Sequence, residues 1–141
     1  MKNYSDMQKL ETSMKLHDEL HRNYILISEM VYICLERGLK MVIENPATPP
    51  HYLTTYWCIK PKIIDNDRRL NGDYMKKPTQ FWFINCEQKQ NLVFESIDYV
   101  EQRRVDYITK RNTERDRTVA RSEIHPQYAS RFIRQYLIDE Q

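Results

Sequence analysis

Leu39-Lys40-Met41-Val42-Ile43-Glu44-Asn45-Pro46 is the stretch whose reading decides the fold: a short apolar run that ends abruptly in a carboxylate, an amide and a proline. Leu39, Met41, Val42 and Ile43 read as a buried strand. Pro46 cannot donate to a ladder and pushes Asn45 out of helical geometry. Glu44 and Asn45 are therefore expected at a carboxyl-terminal strand edge, where open α/β sheets bind ligands. The same Asn45-Pro46 pair also reads as a turn opener, and local sequence leaves both readings open.

Upstream of this strand, Leu10, Met14, His17, His21, Tyr24, Ile27, Val31 and Leu35 recur at steps of three and four, the stripe of a long helix. Neither Pro nor Gly interrupts Gln8 to Arg37, and Gly38 supplies a left-handed stop. His17 and His21 have metal-ligand spacing, but no Glu lies in the metalloprotease position between them and no third ligand is evident, so solvated or half-buried histidines are expected. A long helix, a Gly turn and a strand form an αβ unit of the kind that builds mixed or parallel sheets.

Downstream, Ala-Thr-Pro-Pro is a rigid loop, and His51 to Cys58 has the length of two helical turns. Lys62 to Asp65 reads as a short strand, and Asn66 to Met75 as a polar turn region. Gln80 to Asn85 is strongly β-prone, and both strands are expected beside the one ending in Glu44. Residues 101–121 are rich in charge and poor in large apolar side chains. They read as a charged linker or excursion, or as a phosphate-contacting arm in which Arg and Lys interleave with Tyr107, Asn112 and Thr113. Pro126 then opens a helix within 122–141, striped by Tyr128, Phe132, Ile133, Tyr136 and Leu137.

Composition bounds the function. A chain of 141 residues with 40% hydrophobic side chains, ten Tyr, four Phe and two Trp is a folded single domain rather than a disordered segment. Its formal charge of +2 argues neither for nor against a nucleic-acid partner. Three cysteines without CxxC spacing make a disulfide framework or zinc site unexpected, and buried structural thiols are the ordinary reading of Cys34, Cys58 and Cys86. Neither a leader nor a run long enough to span a membrane is visible, so a cytoplasmic location without membrane contact is expected. Only two glycines are present, and no Gly-rich loop cradles a cofactor.

Taken in order, the long helix, Val42-Ile43-Glu44-Asn45-Pro46 and Gly72-Asp73-Tyr74-Met75-Lys76-Lys77-Pro78-Thr79-Gln80-Phe81-Trp82 resemble the carboxyl-terminal half of phage-type and mobile-element DNA cytosine methyltransferases. In that family a strand ends in Glu-Asn-Pro or Glu-Asn-Val, and a later hairpin carries Gly, then Lys-Pro-Thr and an aromatic strand. The likeness covers roughly residues 10–95, and Ser122-Glu123-Ile124-His125-Pro126 is similar to the family's final cofactor-side motif. It implies an α/β fold: a partial Rossmann-like, class I methyltransferase-like sheet with a long N-terminal helix and a C-terminal helix.

The resemblance also implies roles. Glu44 corresponds to the carboxylate that holds N3 of a flipped cytosine while a nucleophile adds to C6, because an acid bonded to N3 withdraws electrons from the ring. Asn45 fixes the loop, Lys76, Lys77 and Thr79 contact phosphate or retain the extruded base, and Arg68 and Arg69 are further candidates for that work. The family's Pro-Cys nucleophile and cofactor loop have no counterpart in these residues. S-adenosylmethionine is thus expected only if a partner chain completes the site, and the partners in view are DNA, a complementing N-terminal methyltransferase subunit, or a second copy. Two other readings remain: a non-catalytic nucleic-acid- or protein-binding module derived from that fold, and an unrelated α/β protein in which Glu-Asn-Pro is only a turn.

Overall fold

The computed structural model describes residues 3–48, 52–89, 92–103, 119 and 122–138. Most of the charged 101–121 segment, with Tyr107, Asn112 and Thr113, lies outside the described residues, as does His51.

Helix α1 spans Asp6–Arg37. It starts where Ser5 and Gln8 exchange hydrogen bonds, Gln8 N donating to Ser5 Oγ at 3.3 Å and Ser5 N to Gln8 Oε1 at 2.9 Å. This capping box satisfies two backbone donors that the first turn would leave unpaired. The helix stops at Gly38, whose φ of 66° is left-handed and whose N–H reaches Cys34 O.

Three strands follow: β1 (Met41–Pro46), β2 (Ile63–Asp65) and β3 (Thr79–Ile84), in the order β1-β3-β2. Both pairings are antiparallel, with Glu44 opposite Phe81 and Pro46 opposite Thr79 in one, and Ile63 opposite Phe81 in the other. The expected strands exist, but only β3 lies beside β1; β2 pairs with the far side of β3. The sheet, however, has no parallel neighbours among the described strands, because the chain from β2 to β3 returns through a 3-10 turn at Arg68–Asn71 instead of a crossover helix. A short helix α2 (Tyr52–Tyr56) precedes β2, and α3 (Pro126–Tyr136) closes the described fold.

Strand alternation divides the core into two layers. Ile43, Trp82 and Ile84 meet Val31 of α1 together with Leu53 and Trp57, and half-buried Tyr24, Ile27, Cys34 and Met41 pack around them. Both indoles are anchored, Trp57 Nε1 donating to Ser28 Oγ at 3.0 Å and Trp82 Nε1 to Ile59 O at 2.9 Å. On the other face Phe81 and Phe83 meet Tyr136, with Phe132, Val42 and Ile63 around them. Ring centroids lie 4.7 Å apart for Phe81 and Phe132 and 4.5 Å for Phe83 and Tyr136. β3 is covered on both faces and flanked on both edges, so all six of its residues are buried.

The stripe read along α1 is only partly used. Tyr24, Ile27 and Val31 face the sheet, whereas Leu10, Met14, His17, His21 and Leu35 are exposed. The cause is length. A helix of 32 residues extends about 48 Å and a six-residue strand about 20 Å, so only the carboxyl-terminal part of α1 can lie over the sheet. None of the described helices is long and apolar enough to cross a membrane.

Candidate functional site

Adjacent residues of an extended strand point to opposite faces, and this separates Glu44 from Asn45. Glu44 is exposed on the face covered by α3, beside Val42 and opposite Phe81. Asn45 is half-buried on the α1 face, opposite Gln80. The Gln80 side chain ties this region to α2, its Nε2 donating to Pro46 O at 3.0 Å and to Thr54 Oγ1 at 2.5 Å. Both motif residues therefore sit on one strand, but they do not converge on one pocket.

Antiparallel register does bring the two motifs together along the backbone. Ala47 N donates to Pro78 O at 2.9 Å, so Lys76-Lys77-Pro78 runs beside the chain just beyond Glu44-Asn45-Pro46. Lys76 is exposed and Lys77 half-buried. Thr79 is fully buried, its Oγ1 donating to Lys77 O at 2.7 Å, which fixes the turn into β3 rather than presenting a hydroxyl to a partner.

The two arginines diverge. Arg69 stays at the surface, where Nε and Nη2 clasp Asp67 at 2.8 and 2.6 Å; this guanidinium holds the Asp67 carboxyl below its ordinary range. Arg68 is 1% exposed, and its guanidinium lies 4.7 Å from the Tyr128 ring centroid. Nη2 is 2.5 Å from Asp73 Oδ2 but outside hydrogen-bonding direction, and Nε has no hydrogen-bond partner among the described residues. Asp73 in turn accepts from Tyr74 N at 2.8 Å and His125 N at 2.9 Å, tying the turn after β2 to the start of α3. Tyr128 donates to Asp65 Oδ2 at 3.0 Å. Burial first, and then the Asp65 charge, push its phenol well above the ordinary tyrosine value.

Glu44 and Arg68 do converge. They line one cavity of about 190 Å³ whose other walls are apolar or aromatic, among them Val42, Phe81, Tyr128 and Phe132. Sequence reading placed the two in separate roles. For holding Arg68, Asp73 carries no local signal beyond following a glycine, and Tyr128 none beyond its place in the apolar stripe of the last helix.

The other candidates stand apart from this cavity. His17 and His21 are exposed on α1, and among the described residues no group of three His, Cys, Asp or Glu side chains could hold a metal ion. Cys86 is buried and Cys34 half-buried, but Cys58 is exposed: it follows Trp57, whose indole takes the inward position at the end of α2. No family model, curated protein or solved structure matches the chain.

Proposed function

We propose that this chain is the base-holding, DNA-contacting part of a cytosine methyltransferase-like enzyme, inactive in transfer until another polypeptide supplies the cofactor loop and the nucleophile. One observation carries the reading: Glu44 and the buried Arg68 wall the same small apolar cavity. Cytosine offers a donor at N4 and acceptors at N3 and O2, and an extruded base is read by hydrogen bonds to that edge between apolar walls. A carboxyl group and a guanidinium supply complementary partners. Glu44 accepts from N4 or, when it carries a proton, donates to N3, and Arg68 donates to O2. Lys76, next to the strand end and exposed, is suited to the phosphates on either side, with Lys77 behind it.

The sheet fits the margin of a larger Rossmann-like one. β1 and β2 run in the same direction with β3 reversed between them, as where an antiparallel strand is inserted near the edge of an otherwise parallel sheet. α1 feeding β1 suits the crossover from a preceding parallel strand. Within these 141 residues there is neither a Gly-rich loop nor a Pro-Cys pair, so S-adenosylmethionine and the nucleophile belong to a complementing chain.

The test is DNA binding followed by reconstitution. The purified chain should bind a cytosine-containing duplex at low salt. Changing Lys76 and Lys77 together to Ala should weaken binding and reduce the slope of log affinity against log salt by about 2, since two phosphate contacts are lost. Glu44→Gln should leave that binding unchanged, because a carboxylate contributes no attraction to phosphate. Isothermal titration with S-adenosylmethionine should give no heat for the chain alone. With an added polypeptide carrying the missing motifs, methyl transfer should appear and Glu44→Gln should abolish it. Transfer by the chain alone, or absence of DNA binding even at low salt, would reject the proposal.

A second reading, a protein-binding module derived from the same fold, is favoured by the many exposed apolar residues of α1. Unaltered DNA affinity after the double lysine change would favour it.

A further inference from the structure

A cleft of about 600 Å³ opens at the end of the sheet away from the Lys76-Lys77 turn. Its walls come from three places in the chain. Lys40 stands just ahead of β1, Lys62 just ahead of β2, and Lys89 in the segment that leaves β3. Antiparallel register gathers them, because Met41 is opposite Ile84 and Ile63 opposite Phe81, so both outer strands start beside the second half of β3. The floor is aromatic: Phe83 and Tyr136 stack with ring centroids 4.5 Å apart.

Hydrogen-bond donors dominate the lining. Three ammonium groups face a single carboxylate, that of Glu87. The end of α3 accounts for part of this charge, since Lys40 Nζ donates to Leu137 O and Lys89 Nζ to Arg134 O, both at 3.3 Å. It does not account for all of it. A helix terminus counts for about half an elementary charge. The Lys62 ammonium has neither a hydrogen bond nor an ion pair among the described residues, and half-buried Lys89 has no carboxylate partner among them. Tyr136 stands between this cleft and the one beside Asp65. It is 7% exposed, and its hydroxyl has no hydrogen-bond partner among the described residues. Burial first, and then the Asp65 charge, push its phenol up, so it offers a proton at neutral pH. A buried donor left unmatched is costly, and a ligand rich in acceptors removes that cost.

We infer that the cleft binds a small organic phosphate of about nucleotide size, its phosphate among Lys40, Lys62 and Lys89 and its flat organic part against the edges of Phe83 and Tyr136. A phosphate group is all acceptor and doubly charged near neutral pH, which complements the lining. The volume decides for an organic ester over the bare ion, because clefts of about 300–1,000 Å³ are those that enclose organic ligands. Convergence of the lysines on one concavity, rather than along an open groove, decides against a duplex backbone. The Lys76-Lys77 turn lies about 20 Å away along β1, so this inference and the proposed function can fail separately.

Isothermal titration of the full chain with adenosine monophosphate at low ionic strength should give saturable heat, and affinity should fall as salt is raised. Adenosine, without the phosphate, should give no heat, and inorganic phosphate, without the organic part, should bind more weakly. Lys62→Gln should weaken the monophosphate about tenfold and Tyr136→Phe about fivefold. Circular dichroism should be unchanged in Lys62→Gln, because that side chain is exposed. Lys15→Gln, on the exposed part of α1, should bind as the wild type does. Absence of heat with the monophosphate, equal binding of adenosine or of inorganic phosphate, or unchanged affinity after Lys62→Gln would overturn the inference. So would a cytosine-containing duplex that displaces the monophosphate and itself binds less tightly after Lys62→Gln, since the lysines would then belong to a DNA face. Monophosphate binding that persists where duplex binding fails would uphold it and count against the proposed function alone.

Discussion

A buried arginine dominates the chemistry of single residues here. Arg68 is sealed between Tyr128 and Asp73, both with almost no exposure, in an apolar setting where one unpaired charge is costly. Asp73→Ala removes the countercharge and the acceptor of two backbone donors. It should cost about 3–5 kcal/mol in urea denaturation, while Arg68→Met combined with Asp73→Leu should recover much of that loss. Tyr128 gives the chain a pH dependence at the alkaline end. Because its folded value is raised above 10.0, its contribution is complete below that pH; above it, the unfolded chain ionises first and stability falls. Tyr128→Phe should flatten the decline in denaturation midpoint above about pH 10.

At the scale of elements, the turn after β2 is the most constrained piece. Gly72 has φ +90°, and a Cβ there would lie 2.6 Å from the Gln127 side chain at the start of α3. Gln127 Nε2 donates to Gly72 O at 3.3 Å, so turn and helix are joined by the same pair. Gly72→Ala should therefore destabilise by more than about 1 kcal/mol, from left-handed backbone and the displaced glutamine together. Adding Gln127→Ala should relieve only the second part, which comparing the single and double variants by thermal denaturation would show. By contrast, Gly38→Ala meets nothing within 4 Å and should show the backbone cost alone.

For the whole molecule, two sheet faces and an open edge set what the chain can do. The face under α3 holds the Glu44–Arg68 cavity, the face under α1 holds the indole-rich core, and the outer edge of β1 is unpaired among the described residues. The long helix, the strand into Glu44, the paired aromatic strand and the terminal helix were legible because each is local: capping residues, glycine stops and apolar periods act over a few residues. Sequence also located the two motifs that antiparallel register brings edge to edge. Tertiary structure alone decided the rest, since facing and burial depend on partners distant in the chain. It withdrew Arg68 from the surface through Asp73 and Tyr128, buried Thr79, and left the first half of α1 uncovered, because six-residue strands are too short to meet a helix of 32.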